Sequence, residues 1–298
     1  MRLPRLYESP VLLLTLVSLM WAGNTIASQL AKGEIGPMTL VLVRWVVVAA
    51  LLWPLFGREV MAHRAVWQPR LGRLAIVAVL GFTGFNALFY AAALTTTAVN
   101  MGILQGAIPV VVLLGAFLVF GTPVTRLQTA GVALTLLGVV LVAGRGSWEV
   151  LASLALVPGD LLMLAAAAAY ASYTVALQGR PTMPGRAFFT LLAPIAVLTA
   201  IPLAVAEWLT LAPGWPSATG WAVAAYVAIF PSCLAQLFFL RGVDLIGPGR
   251  AGVYVNLVPI FAPLLAWAIL GQEIRGYHAL ALALVLGGIW LAQRQRTG

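Results

Sequence analysis

Long apolar stretches follow one another along the whole chain, and only short polar connectors separate them. The stretches are continuously apolar, as in residues 161–169, and do not alternate as the strands of a membrane barrel do. Each approaches the length of about 20 residues that a helix needs to cross a bilayer. The pattern predicts ten membrane-spanning helices, over residues 11–30, 38–56, 74–94, 98–120, 127–143, 161–177, 187–205, 221–240, 251–270 and 277–292.

Composition supports the same class of protein. Hydrophobic residues make up 62% of the chain and charged residues 8%, and the mean hydropathy is +1.02. A soluble domain has a far more polar balance, and the short connectors leave no room for one. The sequence therefore predicts an all-α integral membrane protein embedded in a lipid bilayer. The single cysteine, Cys233, excludes an internal disulfide.

The second half of the chain repeats the first. Residues 94–142 align without gaps on residues 244–292, at an offset of 150 residues. Helix-breaking residues match in register: Pro109 with Pro259, Gly102 with Gly252, and Gly121 with Gly271. Such matches are informative because apolar residues align by chance and helix breakers do not. We expect two repeats, residues 1–148 and 149–298, with five helices each. An odd number of spans inverts the second repeat in the membrane, and inverted repeats are a common basis of alternating access in transporters.

The basic residues predict the orientation. When the spans are threaded with the N-terminus inside, thirteen of the 17 lysines and arginines fall on the cytoplasmic side. They are Arg2, Arg5, Arg58, Arg64, Arg70, Arg73, Arg126, Arg180, Arg186, Arg241, Arg250, Arg294 and Arg296. Only Lys32, Arg145 and Arg275 fall on the other side, and Arg44 lies within a span. The positive-inside rule then places both termini in the cytoplasm. It also accounts for the net charge of +9 without a nucleic-acid partner.

Several short motifs carry a resemblance to a known family. They are Trp21-Ala22-Gly23-Asn24 in the first span, Pro37 followed by Arg44 in the second, and a Pro-x(11)-Gly spacing at Pro109/Gly121 and Pro259/Gly271. With these the chain resembles, over essentially its whole length, the ten-helix EamA-type permeases of the drug/metabolite transporter (DMT) superfamily. It looks most similar to the bacterial exporters of amino acids, including those that export aromatic amino acids and paraquat. The resemblance implies a transporter of the bacterial inner membrane that works as a single chain without a cofactor. In one departure, Thr122 follows Gly121 where the family often has an acidic residue, although Glu273 is present in the second repeat.

Polar residues at membrane depth are the candidates for a site, because each is costly there. The predicted substrate-binding residues are Trp21, Asn24, Asn86, Tyr90, Gln105, Tyr170, Tyr173, Gln236, Tyr254 and Asn256. Amides can equally join neighbouring helices by hydrogen bonds. Asn86 and Gln236 occupy equivalent positions in the two repeats, which favours a central site for a small molecule such as an amino acid or a cationic drug. We also predict hinges at Pro109, Pro231 and Pro259, where prolines interrupt helical hydrogen bonding.

Arg44 leaves two interpretations open. Its guanidinium can bond to backbone carbonyls at helix ends or extend toward the membrane surface, and this structural role is the preferred expectation. Alternatively it attracts a substrate carboxylate. The few basic residues in the spans argue against nucleotide sugars or other multiply anionic cargo.

Enzymatic chemistry is not expected. The two histidines lie in or beside predicted connectors, and Asp160 and Asp244 fall on opposite sides of the membrane. The sequence thus offers no buried nucleophile with a base and no metal-binding group. Since none of the eight acidic residues lies near the middle of a span, we expect facilitated diffusion without proton coupling. A proton-coupled multidrug exporter of the same superfamily, and a channel or lipid-translocating accessory protein, remain alternatives.

Overall fold

Ten long helices make up most of the protein. The computed structural model describes residues 7–152 and 156–293, and it contains ten helices that are long and apolar enough to cross a membrane. They are α1 (Pro10–Leu30), α2 (Pro37–Ala62), α3 (Arg64–Ala93), α4 (Ala98–Phe120), α5 (Arg126–Ala143), α6 (Pro158–Ala176), α7 (Gly185–Leu211), α8 (Ala218–Ile246), α9 (Pro248–Leu270) and α10 (Gly276–Gln293). A short helix, Trp148–Ala152, lies between α5 and α6. The predicted all-α membrane fold with ten spans is confirmed.

Several helices are longer than the predicted spans. Helix α2 continues to Ala62, α3 begins at Arg64, and α7 continues to Leu211. Hydropathy detects only the apolar part of a helix, whereas backbone hydrogen bonding continues into the polar flanking residues. The basic residues closest to the termini, Arg2, Arg5, Arg294 and Arg296, lie outside the described residues.

The two ends of the helix bundle differ in charge. At one end, here called the Lys32 end, Lys32 donates a hydrogen bond to the Thr96 carbonyl, and a surface cavity next to Thr96 contains Arg145 and Arg275. At the opposite end, here called the Arg58 end, Arg186 forms an ion pair with Glu59. The helix order places the other basic residues that the structure describes, apart from Arg44, at this end as well.

Four helices are irregular, and the irregularities match between the two halves. Helix α3 contains a π-helical turn at Val79–Gly84, and α8 contains one at Ala228–Leu234. Helix α4 is interrupted between Gln105 and Ile108, and α9 has a 3₁₀ turn at Val255–Leu257. A shift of 150 residues superimposes each pair to within one residue. The three predicted hinge prolines all lie at these irregularities: Pro231 in the α8 turn, Pro109 and Pro259 at the starts of the following α-helical segments.

Three pairs of helices at equivalent positions in the two halves pack against each other in antiparallel fashion: α2 with α7, α4 with α9, and α5 with α10. In the α5–α10 pair, a Cβ atom on Gly131 would lie 2.5 Å from the Gly288 carbonyl oxygen, and one on Gly138 would lie 2.9 Å from the Ala281 carbonyl oxygen. These two contacts are related by the 150-residue shift. Glycine lets the backbones approach this closely, as small residues commonly do in membrane bundles.

The α2–α7 pair is held by a buried carboxylate. Glu207, near the end of α7, accepts hydrogen bonds at 2.9 Å from the backbone N–H groups of Met38 and Thr39, the first residues of α2. It also accepts the Thr39 hydroxyl at 2.7 Å. Gly36 leaves room for it, since a Cβ there would lie 2.7 Å from the Glu207 carboxyl carbon. Glu207 was expected beyond the seventh span; it lies inside α7, where unpaired N–H groups of α2 compensate its burial.

We expect Glu207→Ala to reduce the free energy of unfolding by roughly 1–3 kcal/mol, because three buried donors lose their acceptor. Denaturant unfolding of the purified protein in detergent measures the change. The control is Glu59→Ala, which removes the ion pair with Arg186, a partner whose side chain is 58% exposed. That loss should stay below about 1 kcal/mol, and equal losses for both variants would contradict the capping role of Glu207.

Candidate functional site

A cavity of about 120 Å³, with a mainly apolar wall that also carries polar side chains, lies among the helices between the two halves of the chain. Helices α1 to α4 and α6 to α9 contribute to its wall. The polar and aromatic lining residues are Trp21, Asn24, Arg44, Trp45, Phe82, Phe85, Asn86, Gln105, Tyr170, Phe189, Ser232, Gln236 and Asn256. Residues from the irregular turns of α3, α4, α8 and α9 also reach this wall, so the breaks in helical geometry surround the cavity.

Seven of the ten predicted substrate-binding residues line this cavity: Trp21, Asn24, Asn86, Gln105, Tyr170, Gln236 and Asn256. The three predicted hinge prolines line it as well. Asn86 and Gln236, equivalent in the two repeats, both face the same cavity. Whether these residues contact a substrate and whether the prolines move remain predictions.

Three predicted residues, all tyrosines, do not line the cavity. Tyr90 lies behind the wall, where its hydroxyl donates to Asn24 Oδ1 at 2.8 Å. Tyr173 packs its ring against Phe82, with centroids 5.5 Å apart. The Tyr254 carbonyl accepts a hydrogen bond from Ser18, and the residue directly precedes Val255, where the lining part of α9 begins. The depth of these side chains in the membrane follows from their position along each span, but the rotation of each helix decides which wall they support.

Arg44 lines the cavity, and its contacts differ from the two that the structural interpretation expected, although its role remains a prediction. Its side chain is buried, with the residue 6% exposed, and does not extend to the membrane surface. Its Nη1 donates to Asn86 Oδ1 and to the Tyr90 hydroxyl, both at 2.7 Å. No hydrogen bond joins it to a backbone carbonyl among the described residues. Arg44 is thus held by the amide and the phenol of α3 and faces the cavity.

The guanidinium of Arg44 has unused hydrogen-bonding capacity. Its Nε is buried and has no partner among the described residues, and the same is true of Nε1 of the adjacent Trp45. Both atoms are donors, and both belong to residues that line the cavity. A buried donor without an acceptor is costly, but neither atom has surface that is accessible from the cavity. A ligand with acceptor oxygens would reach the guanidinium through Nη2, which forms no bond among the described residues.

One wall of the cavity is a cluster of aromatic rings that the sequence analysis missed. Trp45 and Phe82 pack edge to face at 4.8 Å between centroids, Phe82 lies 5.8 Å from Phe189, and Phe85 lies 5.2 Å from Tyr170. A signal was present, because Phe82 precedes Asn86 by four residues and therefore shares its helical face. The cavity thus pairs one cation with a broad apolar surface.

The cavity is closed toward the Lys32 end. Gln105 donates to the Thr25 hydroxyl at 3.1 Å and bridges α4 to α1. Nearby, Gly102 of α4 packs on α9, where an added Cβ would lie 2.6 Å from Ala262 Cβ. The contact that the repeat predicts at the other end, between Gly252 and Val112, is absent, since a Cβ on Gly252 would meet nothing within 4 Å. The α4–α9 pair is therefore closely packed at the Lys32 end, whereas the equivalent contact at the Arg58 end is absent.

A second buried polar cluster lies at the Lys32 end, away from the central cavity. Asp160 accepts hydrogen bonds from the Thr96 hydroxyl and the Asn100 amide, and His278 Nε2 lies 3.1 Å from Asn100 Oδ1. Because the Arg275 backbone N–H donates to Nδ1 of His278, the ring proton lies on Nε2. His278 was expected in or beside a connector; it is buried within α10. This cluster ties α4, α6 and α10 together.

Ten apolar helices around a central cavity that is closed at one end form the architecture of a membrane transporter. The comparisons agree with this class. The model of the EamA-like transporter family matches residues 8–144 and 157–293, one match in each half. The chain therefore belongs to this family, within the drug/metabolite transporter superfamily, as the motifs of the sequence indicated.

Curated relatives are also transporters. The Bacillus subtilis protein named "Uncharacterized transporter YyaM" is 27% identical over 220 residues, which cover 73% of this chain and 71% of the relative. An "Uncharacterized transporter" of Archaeoglobus fulgidus is 28% identical over 293 residues, covering 94% and 96%. One solved crystal structure aligns with a TM-score of 0.65 at 21% identity over 97% of this chain and 99% of its own. That likeness concerns the fold.

Proposed function

We propose that this transporter exports amino acids, aromatic ones among them, across the bacterial inner membrane by alternating access. The moving parts are two inverted repeats, residues 1–148 and 149–298. The observation that carries the proposal is the unequal packing of equivalent elements: Gly102 is in contact with Ala262, whereas Gly252 has open space on the side where Val112 is expected.

The equivalent segments around Gly102 and Gly252 pack differently, and this difference supports two conformations that the protein can exchange. If the halves exchange their conformations, Gly252 closes on Val112 while Gly102 separates from Ala262. The cavity then opens at the Lys32 end and closes at the Arg58 end. The symmetric contacts of α5 with α10 can persist during this exchange, because both halves already contribute to them equally. The excess of arginine at the Arg58 end supports a cytoplasmic position for that end and for both termini.

The lining of the cavity supports a small amphipathic cargo. Amides and a single guanidinium suit a carboxylate and other polar groups, and the ring cluster around Phe82 suits an apolar side chain. A dicationic drug such as paraquat fits less well, because the charged side chain that lines the cavity is Arg44. Multiply anionic cargo would need more than one cation.

Facilitated diffusion remains the proposed mode. No acidic side chain lines the central cavity among the described residues. The two most buried carboxylates, those of Asp160 and Glu207, accept structural hydrogen bonds away from it. We therefore propose that the concentration gradient of the substrate drives export and that no proton is exchanged.

Release of preloaded, labelled phenylalanine from proteoliposomes tests the proposal, first without an ion gradient and then with a pH gradient of either sign. We expect saturable release that other amino acids inhibit and that the pH gradient leaves unchanged. Release no faster than from empty vesicles would overturn the amino-acid cargo. Accumulation of phenylalanine against its own gradient, driven by pH alone, would overturn facilitated diffusion.

A further inference from the structure

We infer that Arg44 selects the substrate by binding its carboxylate, and that the amino group of the substrate is dispensable. Aryl carboxylates that lack an amino group are then substrates, while arylalkyl amines that lack a carboxylate are rejected. The inference rests on the proposed transport function and narrows its substrate class.

The first argument concerns charge. Arg44 is the charged side chain in the cavity wall, it is buried, and it forms no ion pair among the described residues. A guanidinium stays protonated inside proteins, and an unpaired buried charge is strongly unfavourable. A carboxylate that enters the cavity neutralises it, whereas an ammonium adds a second positive charge.

The second argument concerns geometry. Both bonds from Arg44 to the protein involve Nη1, and no bond to Nη2 occurs among the described residues. Nε has no accessible surface, whereas Nη2 is not among the atoms buried in this way. Nη2 is therefore the guanidinium nitrogen that can donate a charge-assisted hydrogen bond to a carboxylate in the cavity.

The guanidinium is also fixed in place. Asn86 and Tyr90 accept from Nη1, and Tyr90 in turn donates to Asn24. Such a chain orients Nη2 before a ligand arrives, so binding costs little side-chain entropy. Lysine at this position would keep the charge and lose the fixed, planar donor group.

The cavity offers much less to an ammonium. It has no carboxylate among the described lining residues, so the available partners are amide oxygens and ring faces such as those of Phe85 and Tyr170. Attraction of an ammonium to a ring face is modest, and repulsion by Arg44 opposes it. The aromatic cluster instead suits the uncharged ring of the cargo.

The test begins with the unmodified protein in proteoliposomes. Unlabelled 3-phenylpropionate, phenethylamine and phenylalaninamide compete with labelled phenylalanine, and transport of labelled 3-phenylpropionate is measured directly. We expect 3-phenylpropionate to compete within roughly fivefold of phenylalanine, and the two compounds without a carboxylate to compete at least about 30-fold less well, as loss of a charged hydrogen-bonded pair predicts. Equal competition by phenethylamine and 3-phenylpropionate would overturn the inference.

Variants of Arg44 separate binding from folding. We expect Arg44→Gln to lower kcat/KM for both carboxylates by roughly 100-fold and Arg44→Lys by roughly 10-fold. The ratio of competition by 3-phenylpropionate to that by phenethylamine should fall toward one in Arg44→Gln. The control is Glu59→Ala, which removes a charge outside the cavity wall and has no bond to Arg44, and it should leave this ratio unchanged. A merely structural Arg44 would lower all rates equally and keep the ratio, which would overturn the inference.

If the proposed transport of amino acids is wrong, the transport results differ from those expected when only the inference about Arg44 is wrong. If labelled 3-phenylpropionate is transported and phenylalanine is not, the amino-acid cargo is wrong while selection by the carboxylate stands. If neither compound is transported and neither raises the melting temperature of the purified protein, the inference is overturned as well. The competition series on the unmodified protein decides the inference even if the Arg44 variants fail to fold.

Discussion

A disulfide between cysteines at positions 102 and 262 is expected to abolish transport, and reduction is expected to restore it. A Cβ on Gly102 would lie 2.6 Å from Ala262 Cβ, so a small separation brings the pair to the spacing of about 3.5–4.5 Å that a disulfide requires. The bond would hold α4 against α9 at the Lys32 end and keep the cavity closed there. The native Cys233 is first replaced by serine, so that oxidation affects only the introduced pair.

The equivalent pair in the other half provides the matched control. Cysteines at Gly252 and Val112 should remain uncrosslinked in the conformation described here, since Gly252 meets nothing within 4 Å. They should crosslink when substrate is present and the halves exchange conformations. Transport is measured as release of labelled phenylalanine from proteoliposomes before and after oxidation. Transport by the crosslinked 102–262 protein at the rate of its reduced form would contradict an opening at the Lys32 end.

Replacing Gly288 by alanine is expected to be strongly destabilising, whereas the same change at the adjacent Gly287 is not. A Cβ on Gly288 would lie 2.5 Å from the Gly131 carbonyl oxygen and would also strike the Thr135 hydroxyl. Both obstacles belong to α5, so α5 and α10 must separate along their whole interface. Overpacking of this kind costs about 1–3 kcal/mol and sometimes more, and Gly288→Leu should prevent folding.

Gly287 makes the comparison specific. A Cβ there would meet only the Leu134 Cδ2 atom, at 3.3 Å, which is the end of a flexible side chain. Alanine is also the better helix former, so Gly287→Ala should leave the free energy of unfolding within about 0.5 kcal/mol or raise it. Denaturant unfolding in detergent compares the two variants. Equal destabilisation would show that close packing of α5 on α10 does not depend on Gly288.

The sequence was sufficient for the helices and for the positions of the breaks within them. Apolar stretches of spanning length have few alternatives in a bilayer, because every backbone polar group must be satisfied within the helix. Helix breakers such as Pro109 and Pro259 act locally, so their repeat in the sequence became a repeat of irregular turns in the structure. The hydropathy pattern placed some helix ends too early: α7 continues to Leu211, so Glu207 lies inside it, where N–H groups of α2 satisfy the carboxylate.

The candidate site was predicted only in part, because it depends on how each helix is rotated. A π-helical turn contains one extra residue and shifts the faces that follow it, and α3 carries such a turn just before Asn86 and Tyr90. The sequence showed these two residues on one side of the helix. It did not show that Asn86 faces the cavity, that Tyr90 lies behind it, and that both hold Arg44.

Counterflow is the measurement that tests the central claim most directly. Proteoliposomes loaded with unlabelled phenylalanine are diluted into a trace of labelled phenylalanine, with no ion gradient. A carrier that alternates between two conformations predicts a transient accumulation of label above its external concentration, which the 102–262 disulfide removes and reduction restores. Equilibration of the label without accumulation would contradict the account and indicate a channel.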